Sequence, residues 1–168
     1  MDVRRLTESD AAEYRELRLR ALREHPKAFT SSFEEDQLKP IDWARQRLGH
    51  RPEAPHDFVL GAFSGGILVG ILGLSVEPRK KVRHIGDVFG MYVAPEHAGR
   101  GAGKLLLHSC IARAREAGLE QLRLTVTDGN ARARSLYERA GFRLFGLERN
   151  AVKLDGRYHD KCHMALKL

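Results

Sequence analysis

The sequence predicts an α/β chain, a central mixed β-sheet with helices on both faces, and three stretches carry that expectation. Residues 91–107 read as a strand running through a glycine-rich turn into a helix. Residues 121–127 alternate apolar and polar positions as a half-buried strand does, and residues 130–142 form a helix with signals at both ends. Strand, helix, strand in that register is a βαβ crossover, which places a parallel pair inside the sheet. With 168 residues and 42% hydrophobic content the chain suits one domain, 1–168, with an ordinary core.

Taken in order, the chain opens with a strand at residues 2–6, and Thr7-Glu8-Ser9-Asp10 then caps a helix carrying Tyr14, Leu17, Leu19, Ala21 and Leu22. Pro26 ends it. Residues 27–36 read as irregular, with Phe29, Phe33 and the acidic trio Glu34, Glu35 and Asp36, and Pro40 opens a second helix through Trp43 and Leu48. Strands at 58–64 and 67–76 are joined by Ser64-Gly65-Gly66, a good hairpin turn. A longer strand at 82–93 feeds the glycine loop, a helix follows from 101 to 117, and Gly118 stops it. After the 121–127 strand, Asn130 is a good N-cap, while Ala133, Leu136, Tyr137 and Ala140 recur at helical spacing before Gly141. Strands at 142–150 and 160–167 close the sheet. His50 to His56 and the Asp155-Gly156 turn read as mobile loops.

The glycine loop makes an anion site. Gly99, Gly101 and Gly103 allow close backbone approach and positive φ, so several NH groups can converge on phosphate oxygens at the start of a helix. Two familiar phosphate loops do not fit. A Walker A loop needs glycine five residues before Gly103 and Ser or Thr after Lys104, where this chain has Ala98 and Leu105. A dinucleotide fingerprint needs glycine three residues beyond Gly101 or Gly103, where Lys104 and Leu106 stand.

What remains, Val93-x-Pro95 followed by G-x-G-x-G-K and a leucine run, resembles the pyrophosphate-binding motif of the GCN5-related N-acetyltransferase (GNAT) superfamily. Where that family usually carries Arg or Gln, this chain has Ala98. The run N-x-x-A-x-x-L-Y-x-x-x-G-F from Asn130 to Phe142 is similar to the segment that follows the loop by one helix and one strand in the same family. The two motifs cover the C-terminal half; the N-terminal half matches in pattern alone. The resemblance implies the acyl-coenzyme A acyltransferase fold and transfer of an acetyl group from acetyl-CoA to an amine.

The resemblance also assigns roles. Met91, Tyr92 and Val93 would line the pantetheine arm and thioester, and Ala98, Gly99, Arg100, Gly101, Ala102, Gly103 and Lys104 would hold the pyrophosphate. Asn130 matches a residue that contacts the cofactor, although its capping duty alone accounts for it. Tyr137 matches the general acid that protonates the departing thiolate. Asp87, six residues before Val93, corresponds to the glutamate base of histone-acetylating relatives provided that no bulge shifts the strand register. Glu77, His84 and a water chain to solvent are the alternatives. Amine can attack the thioester directly in a ternary complex, so no nucleophilic residue is required. Residues 27–36 fall where the family walls its acceptor pocket, and the acidic trio beside Phe29 and Phe33 would suit a cationic amine. A small amine is favoured over a protein N-terminus.

Composition narrows the partners. The net charge is +7, but the basic residues are dispersed and no aromatic residues interleave with them as on a nucleic-acid surface. A polyanionic ligand accounts for part of the excess, and neither nucleic acid nor membrane is expected; charge alone motivates a nucleic-acid-binding alternative, and Ala98 with the unsettled base motivates an acyl-CoA-binding sensor. The first residues lack the apolar core of a signal peptide and no apolar run approaches ~20 residues, so a cytoplasmic location is expected. Nothing in the sequence separates a monomer from a homodimer. Cys110 and Cys162 read as reduced thiols, Cys110 on a core face. His159, Cys162 and His163 do not suit a metal site, since a strand throws 162 and 163 to opposite faces.

Overall fold

The computed structural model describes all 168 residues, built on a seven-stranded sheet of order β1-β2-β3-β4-β5-β7-β6. β1 (Asp2–Arg5), β2 (Phe58–Ser64), β3 (Ile67–Val76) and β4 (Ile85–Val93) pair antiparallel in sequence, and β5 (Gln121–Thr127) joins β4 in parallel. β7 (Arg157–Lys167) pairs antiparallel with β5, and β6 (Arg143–Leu154) forms the far edge. The parallel pair requires a crossover, which α4 (Ala102–Glu116) supplies.

Each face of the sheet has its own apolar cluster. α1 (Ala11–Glu24) and α3 (Ile41–Leu48) bury Tyr14, Leu17, Ala21, Ala44 and Leu48 against Val59, Leu68, Ile71 and Tyr92. On the other face, α4 buries Leu106, Leu107, Cys110 and Ala114, and α5 (Ala131–Arg139) adds Tyr137, against Leu60, Leu72, Leu74, Leu122, Leu124 and Met164. Strand residues alternate between the two clusters because successive Cβ atoms point to opposite faces. Cys110 belongs to the second cluster, and burial alone pushes its thiol up to about 12.

Several expectations change. Residues 27–36 are irregular only at 29–32: a 3₁₀ turn at Pro26–Ala28 precedes them and a one-turn helix, α2 (Phe33–Gln37), follows, whose N-cap Ser32 and Glu35 close a reciprocal capping box. β4 starts at Ile85 rather than 82. The last hairpin is longer than its alternation suggested. β6 carries two extra residues between Glu148 and Val152, centred on Asn150 at φ 54, and the ladder then resumes to Leu154. Asp155 and Gly156, both at positive φ, form its two-residue turn.

Two irregularities shape the site. The β4–β5 ladder runs only from Ile85–Gln121 to Asp87–Arg123, after which the strands diverge toward their C-terminal ends. Between Phe89 and Tyr92, β4 carries one residue more than β3, with Gly90 at φ 61. The bulge exchanges faces: Phe89 and Tyr92 pack with α1 and α3, whereas Met91 and Val93 pack with α4.

Candidate active site

Two cavities open where β4 and β5 part. The outer one, of about 750 Å³, is lined by Met91, Tyr92, Val93, the 97–104 loop except Arg100, and the α5 residues Arg132, Ser135, Leu136, Tyr137 and Arg139. The inner one, of about 530 Å³, lies between Val88–Met91 of β4 and Leu124–Thr127 of β5 and is walled by residues 28–31. Phe29, Met91, Asn130 and Tyr137 line both. A ligand can therefore pass from the glycine loop along one wall into the interior.

The loop is built as an anion seat. Gly99 and Gly101 take φ 77 and φ 89, and Gly101 is the N-cap of α4, so the first turn of that helix presents free NH groups toward the outer cavity. Gly103 differs from its expectation. It sits inside the helix without positive φ, and a Cβ there would come within 3.2 Å of Met91 Cε and 3.3 Å of Leu136 Cδ2, so its role is close packing of α4 against β4 and α5. Lys104 lines the cavity, Ala98 offers only its methyl and backbone, and Arg100 is exposed outside it.

Tyr137 is buried on α5, its ring edge-on to Phe142 and its hydroxyl 3.5 Å from Met91 Sδ, the single polar contact it makes. Removal from water pushes its ionisation up to about 12, so the hydroxyl keeps its proton. Asn130 caps α5 by accepting from the Ala133 NH at 3.2 Å, with its side chain at the junction of both cavities. Tyr92 turns its ring into the α1 cluster and donates its hydroxyl to Glu24 at 2.7 Å. It also lines the outer cavity.

The structure does not bring Asp87 to this site. The β4 bulge places it on the face opposite Met91 and Val93, where Arg123 holds its carboxylate at 2.9 and 3.0 Å, and it lines neither cavity. The runners-up Glu77 and His84 line a separate hollow at the other end of the sheet. The acidic trio is likewise elsewhere. Asp36 is buried between Arg18 at 2.6 Å and Lys39 at 2.5 Å, and Glu35 is taken by its capping box. Those two cations hold the Asp36 carboxyl low despite a burial that works the other way.

Sequence reasoning missed the basic lining. Arg132 and Arg139 flank the outer cavity, seven residues apart on one side of α5, a spacing that was readable. Arg18, the neighbouring Arg47 and Arg51, and Lys161 line the inner cavity from three separate parts of the chain, and no local pattern could have united all of them.

Residues 15–142 match the model of the acetyltransferase (GNAT) family. The chain belongs to that family. A relative among curated proteins is the N-alpha-acetyltransferase RimI of Mycobacterium tuberculosis, 34% identical over 114 residues, 68% of this chain and 70% of that protein. The L-amino acid N-acetyltransferase AaaT of Escherichia coli is 27% identical over 88% of both chains. Mycothiol acetyltransferase of Propionibacterium freudenreichii is 34% identical over 68% of this chain, but the chain spans only 36% of that protein's length. Among solved structures, a GNAT-family acetyltransferase from Streptococcus pneumoniae superposes with a TM-score of 0.90 at 27% identity, over 99% and 98% of the two chains. The yncA structure from Salmonella typhimurium, which holds acetyl-CoA, shares the fold at a TM-score of 0.80 and 24% identity, over 100% of this chain and 94% of that one. In this GNAT member the loop at the start of α4 and Tyr137 of α5 line one cavity. No helix is long and apolar enough to cross a membrane.

Proposed function

We propose that this GNAT member is an N-acetyltransferase that carries an acetyl group from acetyl-CoA to a primary amine of a small molecule by direct attack in a ternary complex. One observation supports this above the rest: the loop cavity and the interior cavity share a wall at Met91, Asn130 and Tyr137, so a donor and an acceptor arriving from opposite sides meet beside one proton-bearing hydroxyl.

The residues fit the cofactor. The first NH groups of α4 behind Gly99 and Gly101, with Lys104, suit a pyrophosphate, and the backbone of Met91 to Val93 runs along the outer cavity toward the interior. Bound acetyl-CoA supplies an acetyl group already activated as a thioester. The bulge at Gly90 and the end of the β4–β5 ladder free backbone polar groups that can hold the acetyl oxygen as charge develops. Tyr137 can donate a hydrogen bond to the departing sulfur, and the dry surroundings that hold its own proton also raise the sulfur's basicity. No free carboxylate faces the interior: Asp57, the one acid of its lining, is engaged by Arg51 and by the Val76 NH. The amine proton therefore leaves through water, helped by surrounding cations that disfavour an ammonium. That absence of a carboxylate base also motivates a second reading, a sensor that binds acyl-CoA without turnover.

Calorimetry with acetyl-CoA, followed by a thiol-release screen over small amines and peptides, separates these readings. Binding with acetylation of small amines is expected. Binding with no turnover on any amine would favour the sensor, and no binding would overturn both.

A further inference from the structure

The inner cavity is the acceptor's place under the proposed function, and its electrostatics say what the acceptor carries. Of the cations that line it, Arg18 is neutralised by Asp36 at 2.6 Å and Arg51 by Asp57 at 2.5 Å. Two remain. Lys161 donates only to the Thr30 hydroxyl at 2.6 Å, and Arg47 has no carboxylate at all. Arg47 Nε is shut off from solvent without a hydrogen-bond partner. Its guanidinium is held in place by π faces instead, 4.5 Å from the Phe89 centroid and 5.3 Å from that of Trp43. Burial works against its charge and Arg18 and Arg51 both repel it; the buried Tyr14 hydroxyl is the one polar group that favours it, and that group is neutral.

A partly buried guanidinium with no anion beside it is expensive unless a carboxylate or another anion pairs with it. The protein builds a support for it nonetheless. Phe89 lies across β3 only because position 73 is glycine: a Cβ there would fall 2.2 Å from the Phe89 ring. On the far side Trp43 is flanked by Arg18, Lys39 and Arg47. Such a rigid, donor-rich fork is complementary to a planar carboxylate, to which it can make two parallel hydrogen bonds.

We propose that the acceptor is an amine that bears a carboxylate, and that Arg47 seats that carboxylate in the inner cavity while the amine points toward Met91 and Tyr137. The inference rests on the transferase reading and adds the acceptor's class to it. Lys161 lies on the same lining, as do the apolar side chains of Val88, Leu124 and Val126.

The test compares each of a set of α-amino acids with its own α-carboxamide, which keeps the amine and removes the charge. A preference of about 10- to 100-fold in kcat/KM for the carboxylate is expected, collapsing toward one in Arg47→Gln and partly kept in Arg47→Lys. Equal use of both forms, or preference for the carboxamides, would overturn the proposal and leave the transferase reading standing. β-Alanine against O-phosphoethanolamine distinguishes the anion, and preference for the phosphate would overturn the carboxylate assignment. Calorimetric binding of N-acetyl-L-alanine against N-acetyl-L-alaninamide, with and without coenzyme A, reads the same seat without turnover. It tests the proposal on the parent protein even if Arg47→Gln fails to fold, and indifference to the charge would count against it. Loss of acetyl-CoA binding in the parent would instead strike the transferase reading.

Discussion

Tyr137 stands on the wall shared by both cavities with one weak polar contact, so removal of its hydroxyl separates chemistry from packing. Tyr137→Phe keeps the ring against Phe142, and acetyl-CoA affinity measured by calorimetry should stay within about twofold. Turnover should fall about 10²- to 10³-fold where the chemical step is limiting, the range seen when one preorganised donor is lost. An unchanged rate under those conditions would make the residue structural. At this scale the sequence was legible for Tyr137 and Asn130, because both stand in a periodic, capped helix whose faces can be counted. It was not legible for Asp87. The single extra residue at Gly90 reverses the alternation between Asp87 and Val93, and a bulge leaves little trace in strand composition. Arg47 was invisible for another reason: its meaning depends on Phe89, Trp43 and Gly73, which only the folded chain assembles.

The strand–loop–helix element divides its glycines between two duties that a motif reads as one. Gly101 at φ 89 has nothing within 4 Å of a notional Cβ, so a side chain there meets backbone strain alone. Gly101→Val should cost about 1–2 kcal/mol and displace the NH groups behind it. Acetyl-CoA affinity is expected to drop at least tenfold in a protein that still melts cooperatively; parent-like affinity in calorimetry would remove the loop from the cofactor site. Gly103→Val would instead push Met91 and Leu136 and so disturb the Tyr137 contact. The element itself was plain in the sequence, since turn glycines bracket strong apolar periods. The long β6–β7 hairpin was read short, because the insertion around Asn150 breaks its alternation midway.

Across the whole molecule, the sheet is held in the middle by very little. Antiparallel ladders knit β1 to β4 on one side and β5, β7 and β6 on the other, whereas only the three pairs from Ile85–Gln121 to Asp87–Arg123 span the join. Such a seam invites the chain to behave as two cooperative units whose amides exchange with solvent on separate schedules. Hydrogen exchange should therefore find that, within Val88–Met91 and Leu124–Thr127, the amides turned toward the gap exchange far faster than those paired to β3 and β7. A ligand wedged between the two flanks acts as a missing strand, and saturating acetyl-CoA should slow exchange on both at once while raising the melting temperature. If β4 and β5 exchange as slowly without ligand as with it, the seam is rigid. If they do not, each binding event also closes the fold: the enzyme is least finished as a structure when it is empty, and substrate becomes the last piece of its sheet.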